Sequence, residues 1–221
     1  MTVPPLQVSC VGMPDDLVVA LAPLVEVAAK ALDMGRDVSG VRICGDDMPG
    51  DDGPWYRLQP GSHAGELPEL ILFCHGGCFG RRDRAGNSLN PPPAIWEQSP
   101  APEVELSEGM MGFSAERSAI FLHHHLLTAR DLVRGDVVGR NLPAGLTEAF
   151  TESWAVVVDG RLVRQGLPGF PLAERRGRFA QVFSPAGILL PDHWQVFESL
   201  WDGALSSQQD VLDVVKKLPG L

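Results

Sequence analysis

The period at which apolar positions recur changes along this chain, and those changes mark out its elements. Leu6, Val8 and Cys10 alternate with polar or small neighbours, as in a short strand. From Asp15 the period lengthens: Leu17, Leu21, Leu24, Val25, Ala28 and Leu32 form one stripe. That spacing predicts a helix opened by Pro14-Asp15-Asp16, reaching Met34 and stopped by Gly35, with Pro23 inside it. Val38 to Cys44 reads as a second strand and Glu69 to Cys74 as a buried one. Residues 45–66 between them read as a turn-rich loop, and residues 79–110, with Pro91-Pro92-Pro93, Pro100 and Pro102, show little periodicity.

The second half is helical in pattern. Between about 115 and 133, Ala119, Leu122, Leu126, Ala129 and Val133 make a stripe while Ile120, Phe121 and Leu127 fill other faces. A helix apolar nearly all round is a buried one. Another helix is expected from Leu146 through Ala149, Phe150, Ser153 and Trp154. Beyond Trp154 two readings stay open. Val156 to Val163 around Asp159-Gly160 has the composition of a β-hairpin, and it also suits the end of a helix with Gly160 as cap. Helices are expected over Arg175–Phe183, Asp192–Asp202 (Trp194, Phe197 and Trp201 on one stripe) and Gln208–Leu218. The predicted class is α+β, a small sheet packed against several helices, in one domain of residues 1–221 with a helical extension from 166 to 221.

Composition narrows the function classes. The chain has 221 residues, 44% of them apolar and 21% charged, which excludes a disordered or fibrous protein. The longest unbroken apolar run, Leu17 to Val25, is nine residues, far short of the ~20 that span a bilayer. The first five residues carry no basic or signal-like block, so a cytoplasmic location is expected. A formal charge of −10 argues against nucleic acid or an anionic membrane surface as partner. The basic clusters Arg81, Arg82, Arg84 and Arg175, Arg176, Arg178 read as solvated or carboxylate-paired. Cys10, Cys44, Cys74 and Cys78 lack the spacing of a zinc ribbon or haem site and read as reduced structural thiols.

The chemical anomaly is His123-His124-His125 on the buried helix, because buried imidazoles are costly unless partnered. His124 and Asp131 are seven residues apart and project from one face; Glu152 and Asp159 stand in the same relation if their helix extends that far. Two antiparallel helices presenting these groups to each other suit zinc or another divalent metal, with His125 as a proton-transfer group. The competing reading is a structural network in which the same groups satisfy one another.

Other motifs in the chain suggest other chemistry, each with a weaker match. Asp46, Asp47, Asp51 and Asp52 hint at calcium without the spacing of an EF-hand. His75-Gly76-Gly77 after a strand is similar to the oxyanion loop of lipase-like hydrolases, with Ser114 as nucleophile and Asp192-His193 as partners. Cys74 or Cys78 with a distant histidine is a thiol alternative. The proline-rich 90–102 segment, holding Ile95 and Trp96, suits docking on a protein partner.

The element order of a helix, strands, a long loop, a buried His-bearing helix and a following helix with glutamates resembles a small zincin-type metallopeptidase domain over residues 15–165. In that family the buried helix reads H-E-x-x-H and the next helix supplies a third ligand. Here His124-His125-Leu126-Leu127-Thr128 aligns with the motif. His124 keeps the first ligand position, His125 replaces the glutamate base, Thr128 replaces the second histidine, and Glu152 matches the third ligand. The resemblance implies a divalent-metal-binding, peptidase-like protein with an altered or inactive site, or a catalytically silent structural or protein-interaction protein on the same scaffold.

Overall fold

The computed structural model describes residues 6–45, 54–63, 65–80, 112–137, 142, 145–184 and 190–218. The acidic loop at 46–52, Arg81, Arg82 and Arg84, and the proline-rich segment with Ile95 and Trp96 lie outside the described residues. The chain is α+β, with six α-helices and one four-stranded mixed sheet among the described residues. It divides into two compact units, Met1–His125 and Leu126–Leu221, and the boundary falls within a continuous helix. No helix among the described residues is long and apolar enough to cross a membrane.

The first unit holds β1 (Gln7–Val11), α1 (Asp15–Ala31), β2 (Gly40–Cys44), β3 (Trp55–Gln59) and β4 (Glu69–Phe73). The sheet order is β1-β2-β4-β3, with β1, β2 and β4 parallel and β3 antiparallel at the edge. Strand alternation gives the sheet two unlike faces. Val8, Val41, Leu70 and Leu58 line up across one face, followed by Cys10, Ile43, Leu72 and Tyr56. Val41, Ile43, Leu70 and Leu72 of this set are core residues. The opposite face carries Gln7, Gly40, Glu69 and Gln59, then Ser9, Arg42, Ile71 and Arg57.

Helix α1 lies against β1. It buries Leu17, Leu21, Val25 and Ala28 of the expected stripe, with Leu32 buried just past its end, while Leu24 is half-buried and Pro23 lies on its outer side. Its end differs from the sequence reading. The helix stops at Ala31, and Asp33 rather than Gly35 takes the left-handed conformation, at φ 54°. Asp33 is held there beside Arg36 by a 2.8 Å ion pair, while Gly35 sits inside a 3-10 turn, Met34–Arg36. Aspartate tolerates this region better than most residues because its short polar side chain bonds locally.

Helix α2 (Ala115–Arg134) runs through the boundary between the units. Its N-terminus is capped by the Ser114 hydroxyl, which accepts the Arg117 N–H at 3.2 Å. The second unit adds α3 (Thr147–Arg164), α4 (Leu172–Phe183), α5 (Pro191–Trp201) and α6 (Gln208–Val215). Helix α3 is the hub on which α4, α5 and α6 pack. It settles the open reading at 156–163: Val156, Val157 and Val158 are buried helical residues, and neither a hairpin nor a cap at Gly160 forms. Tertiary burial outweighs the β-preference of the branched residues. Phe179, Phe183 and Phe197 build an aromatic cluster between α4 and α5, with Trp194 and Trp201 at its margin. The stripe on α5 is thus core packing, with Phe197 fully buried.

Gly160 marks the tightest approach in this unit. A Cβ placed there would lie 2.2 Å from the Trp201 carbonyl oxygen, so α3 meets the end of α5 backbone to backbone. In an exposed helix, Gly→Ala gains about 1 kcal/mol. Here the methyl has no space and the obstacle is main chain, so Gly160→Ala is expected to cost about 1–3 kcal/mol instead. Equilibrium denaturant unfolding of the variant checks the sign.

Candidate functional site

The residues singled out in the sequence fall into three groups, each completed by a partner from another element. In the first unit, His123 and His124 are buried on α2 and His125 is half-buried. The His123 Nδ1–H donates to the Ala119 carbonyl one turn back, at 2.7 Å. Burial holds the His123 pKa below the ordinary histidine value, against the opposing pull of that carbonyl. His125 shares a 2.6 Å hydrogen bond between its Nδ1 and the hydroxyl of Tyr56 on β3. The His125 ring also leans on Phe121 (centroids 4.2 Å apart) and meets the His124 ring edge-on at 4.9 Å.

Tyr56 is the chain's only tyrosine, and the sequence reading passed over it. Its strand, Trp55-Tyr56-Arg57-Leu58-Gln59, sits in the stretch read as loop. The missed signal was an aromatic pair followed by apolar–polar alternation from Tyr56 to Gln59, short and half-exposed as edge strands often are.

In the second unit, Asp131 near the end of α2 is fully buried and ion-paired with Arg161 of α3. Burial pushes its carboxyl pKa up and Arg161 pulls it down, with burial the larger effect. Further along, α3 presents Glu152 and Asp159 on one face, because the helix continues to Arg164. The group that joins them is Arg175 of α4. Its Nη1 donates to Glu152 Oε1 at 3.0 Å, and its Nε donates to Asp159 Oδ2. The second Asp159 oxygen accepts the Phe170 backbone N–H at 3.1 Å, and the Phe170 ring lies against the guanidinium, 4.6 Å from its centre. The side chains of Arg175 and Asp159 are 4% and 0% exposed, so this pair is closed to bulk water, while Glu152, at 13%, sits at its edge.

The electrostatics of the knot follow from that burial. Glu152 is pushed up by desolvation, and Arg175 beside it only partly offsets this. Burial by itself would lower the Arg175 pKa, but the two carboxylates outweigh it and keep the guanidinium charged. The basic cluster 175–178 is carboxylate-paired as expected: Arg176 stands 3.7 Å from Glu198 and Arg178 4.0 Å from Glu174.

Of the expected site residues, Glu152 and Asp159 are brought together, bridged by an arginine. Asp131 has its own arginine, and His124 and His125 belong to the first unit. Among the described residues, no group of three His, Cys, Asp or Glu side chains is placed to hold a metal ion. Of the other motifs, His75-Gly76-Gly77 lies exposed where β4 runs into a 3-10 turn, and the remaining described residues have structural contacts. Ser114 is the α2 cap, and His193 is buried with its Nδ1 accepting the Leu190 N–H at 3.1 Å. Cys74 and Cys78 are buried and form no disulfide, and burial drives the Cys74 pKa far up, which favours the protonated thiol.

Two measurements probe this arrangement. Arg175→Met strands the buried Asp159 and the mostly covered Glu152 and is expected to cost about 3–5 kcal/mol, while adding Glu152→Gln and Asp159→Asn to it recovers much of that loss. Denaturant unfolding of the single and triple variants compares them. His123 binds its proton less readily folded than unfolded, so its contribution to stability is present above the ordinary histidine range and is lost as pH falls through it. Melting curves at descending pH should fall more steeply for the natural chain than for His123→Gln.

Comparison with known proteins returned no match: no family model, no curated protein and no solved structure is significantly similar to this chain.

Proposed function

We propose that this chain is a catalytically silent protein on a zincin-like scaffold, with a structural or protein-interaction role. The observation that carries this reading is the pairing of every carboxylate expected to ligate a metal with an arginine: Asp131 with Arg161, and Glu152 and Asp159 with Arg175. A divalent ion would have to displace a charged guanidinium from a desolvated bond network to reach these oxygens. The element order supports the scaffold, since α1, β2, β3 and β4 precede the His-bearing α2 and the Glu-bearing α3.

The substitutions at the motif point the same way. The position of the glutamate base holds His125, tied to Tyr56, and the second histidine position holds Thr128. Water activation in a metallopeptidase needs a carboxylate base beside a metal-bound water. An imidazole hydrogen-bonded to a phenol supplies neither. The second reading, a divalent-metal-binding peptidase-like protein with an altered site, draws support from the two adjacent imidazoles of His124 and His125.

Elemental analysis of the untagged chain, dialysed without chelator and then offered zinc, separates the two. The expected result is metal well below one ion per chain, with His124→Ala lowering the melting temperature and leaving metal content unchanged. Near-stoichiometric first-row metal that disappears in His124→Ala would overturn the silent reading in favour of the metal site.

A further inference from the structure

The polar face of the sheet carries a second feature, independent of the ion-paired helices. At the amino-terminal ends of the parallel strands lies a cavity of about 680 Å³. Its floor is one complete cross-strand row, Gln7–Gly40–Glu69–Gln59, with Arg42 of the next row beside it. Its walls come from residues 35–39 after α1 and from the turn after β3. The volume is that of a small-molecule site.

The row explains why the hollow exists. Gly40 contributes no side chain to the middle of the floor, and a Cβ there would come within 3.1 Å of the Gln7 carbonyl oxygen and 3.6 Å of the Glu69 Cγ. The flanking carboxamides of Gln7 and Gln59 each carry donors and acceptors. Arg42 and Glu69 form a 2.9 Å ion pair whose side chains stay 38% and 23% exposed, so each retains capacity for a further partner. A guanidinium keeps several N–H donors after one carboxylate contact, and a carboxylate keeps unused lone pairs.

The chemistry selects the ligand class. Among the described residues the lining holds no aromatic ring, so nothing there stacks on a nucleobase or sugar. Opposite charges side by side, flanked by carboxamides and with a second carboxylate, Glu66, on the wall, match a molecule that itself carries a carboxylate and an ammonium group. We propose that this cavity binds small zwitterions of the amino acid or short peptide class, the ligand carboxylate on Arg42 and its ammonium on Glu69. The gain arises because both ligand charges make charge-assisted hydrogen bonds while the host pair remains neutral overall.

The test titrates alanine, trialanine, N-acetyl-trialanine and trialanine amide into the full-length chain, followed by backbone amide NMR. Saturable shifts at Ser39, Gly40, Ser62 and Glu69 are expected with the unblocked compounds. Blocking either terminus should weaken binding about tenfold or more. Whether alanine or trialanine binds more tightly distinguishes a free amino acid from a peptide as the source. Arg42→Gln and Glu69→Gln should each produce a similar loss in a chain whose spectrum stays dispersed. No saturable shift with either unblocked compound overturns the proposal, as does equal binding of the blocked forms. Shifts that map away from the sheet row also overturn it, and because they are read on the natural chain they decide the matter even if a variant fails to fold.

Discussion

The second unit is organised around one guanidinium. Arg175 reaches from α4 to two carboxylates on α3 while its flat face rests on Phe170, whose own N–H completes the coordination of Asp159. Removing any member leaves a desolvated charge or an unsatisfied donor, so the contact between α3 and α4 forms as a unit or fails. The same knot engages three of the four carboxylate oxygens that gave α3 its metal-ligand appearance. Ion pairing and metal ligation would draw here on the same atoms.

A parallel logic operates on the His-bearing helix. Three consecutive imidazoles cannot share one environment, because a helix turns about 100° per residue. His123 is turned back to its own backbone, and His125 is turned to Tyr56 on an edge strand. Each finds a different means of meeting the same requirement, that a polar group leaving water keep a hydrogen-bond partner.

What could be read from the sequence depended on how local its cause was. The stripes of α1 and α2 and the apolar run of β4 were legible because burial on one face imposes its period directly on neighbouring residues. The i, i+7 alignment of Glu152 with Asp159 was legible for the same reason. Their partner was not, because Arg175 lies 23 and 16 residues away and nothing in Glu174-Arg175-Arg176 distinguishes the buried arginine from the exposed one. Tyr56 and His125 are 69 residues apart, a pairing that only the folded sheet creates. At 156–163 the local preference pointed both ways, and burial of three consecutive valines against neighbouring helices decided it.

The bare backbone contact at Gly160 has a consequence for how α3 and α5 are aligned. Most helix pairs are spaced by interdigitated side chains, ridges of one helix in grooves of the other. Here the spacing is set where main chain touches main chain, and only one residue type permits it. Sliding α5 by a turn along α3 would bring the Trp201 carbonyl against Val156 or Arg164 in place of the glycine, and neither leaves room for it. The pair therefore has a single register, written into the chain by the one side chain that is missing.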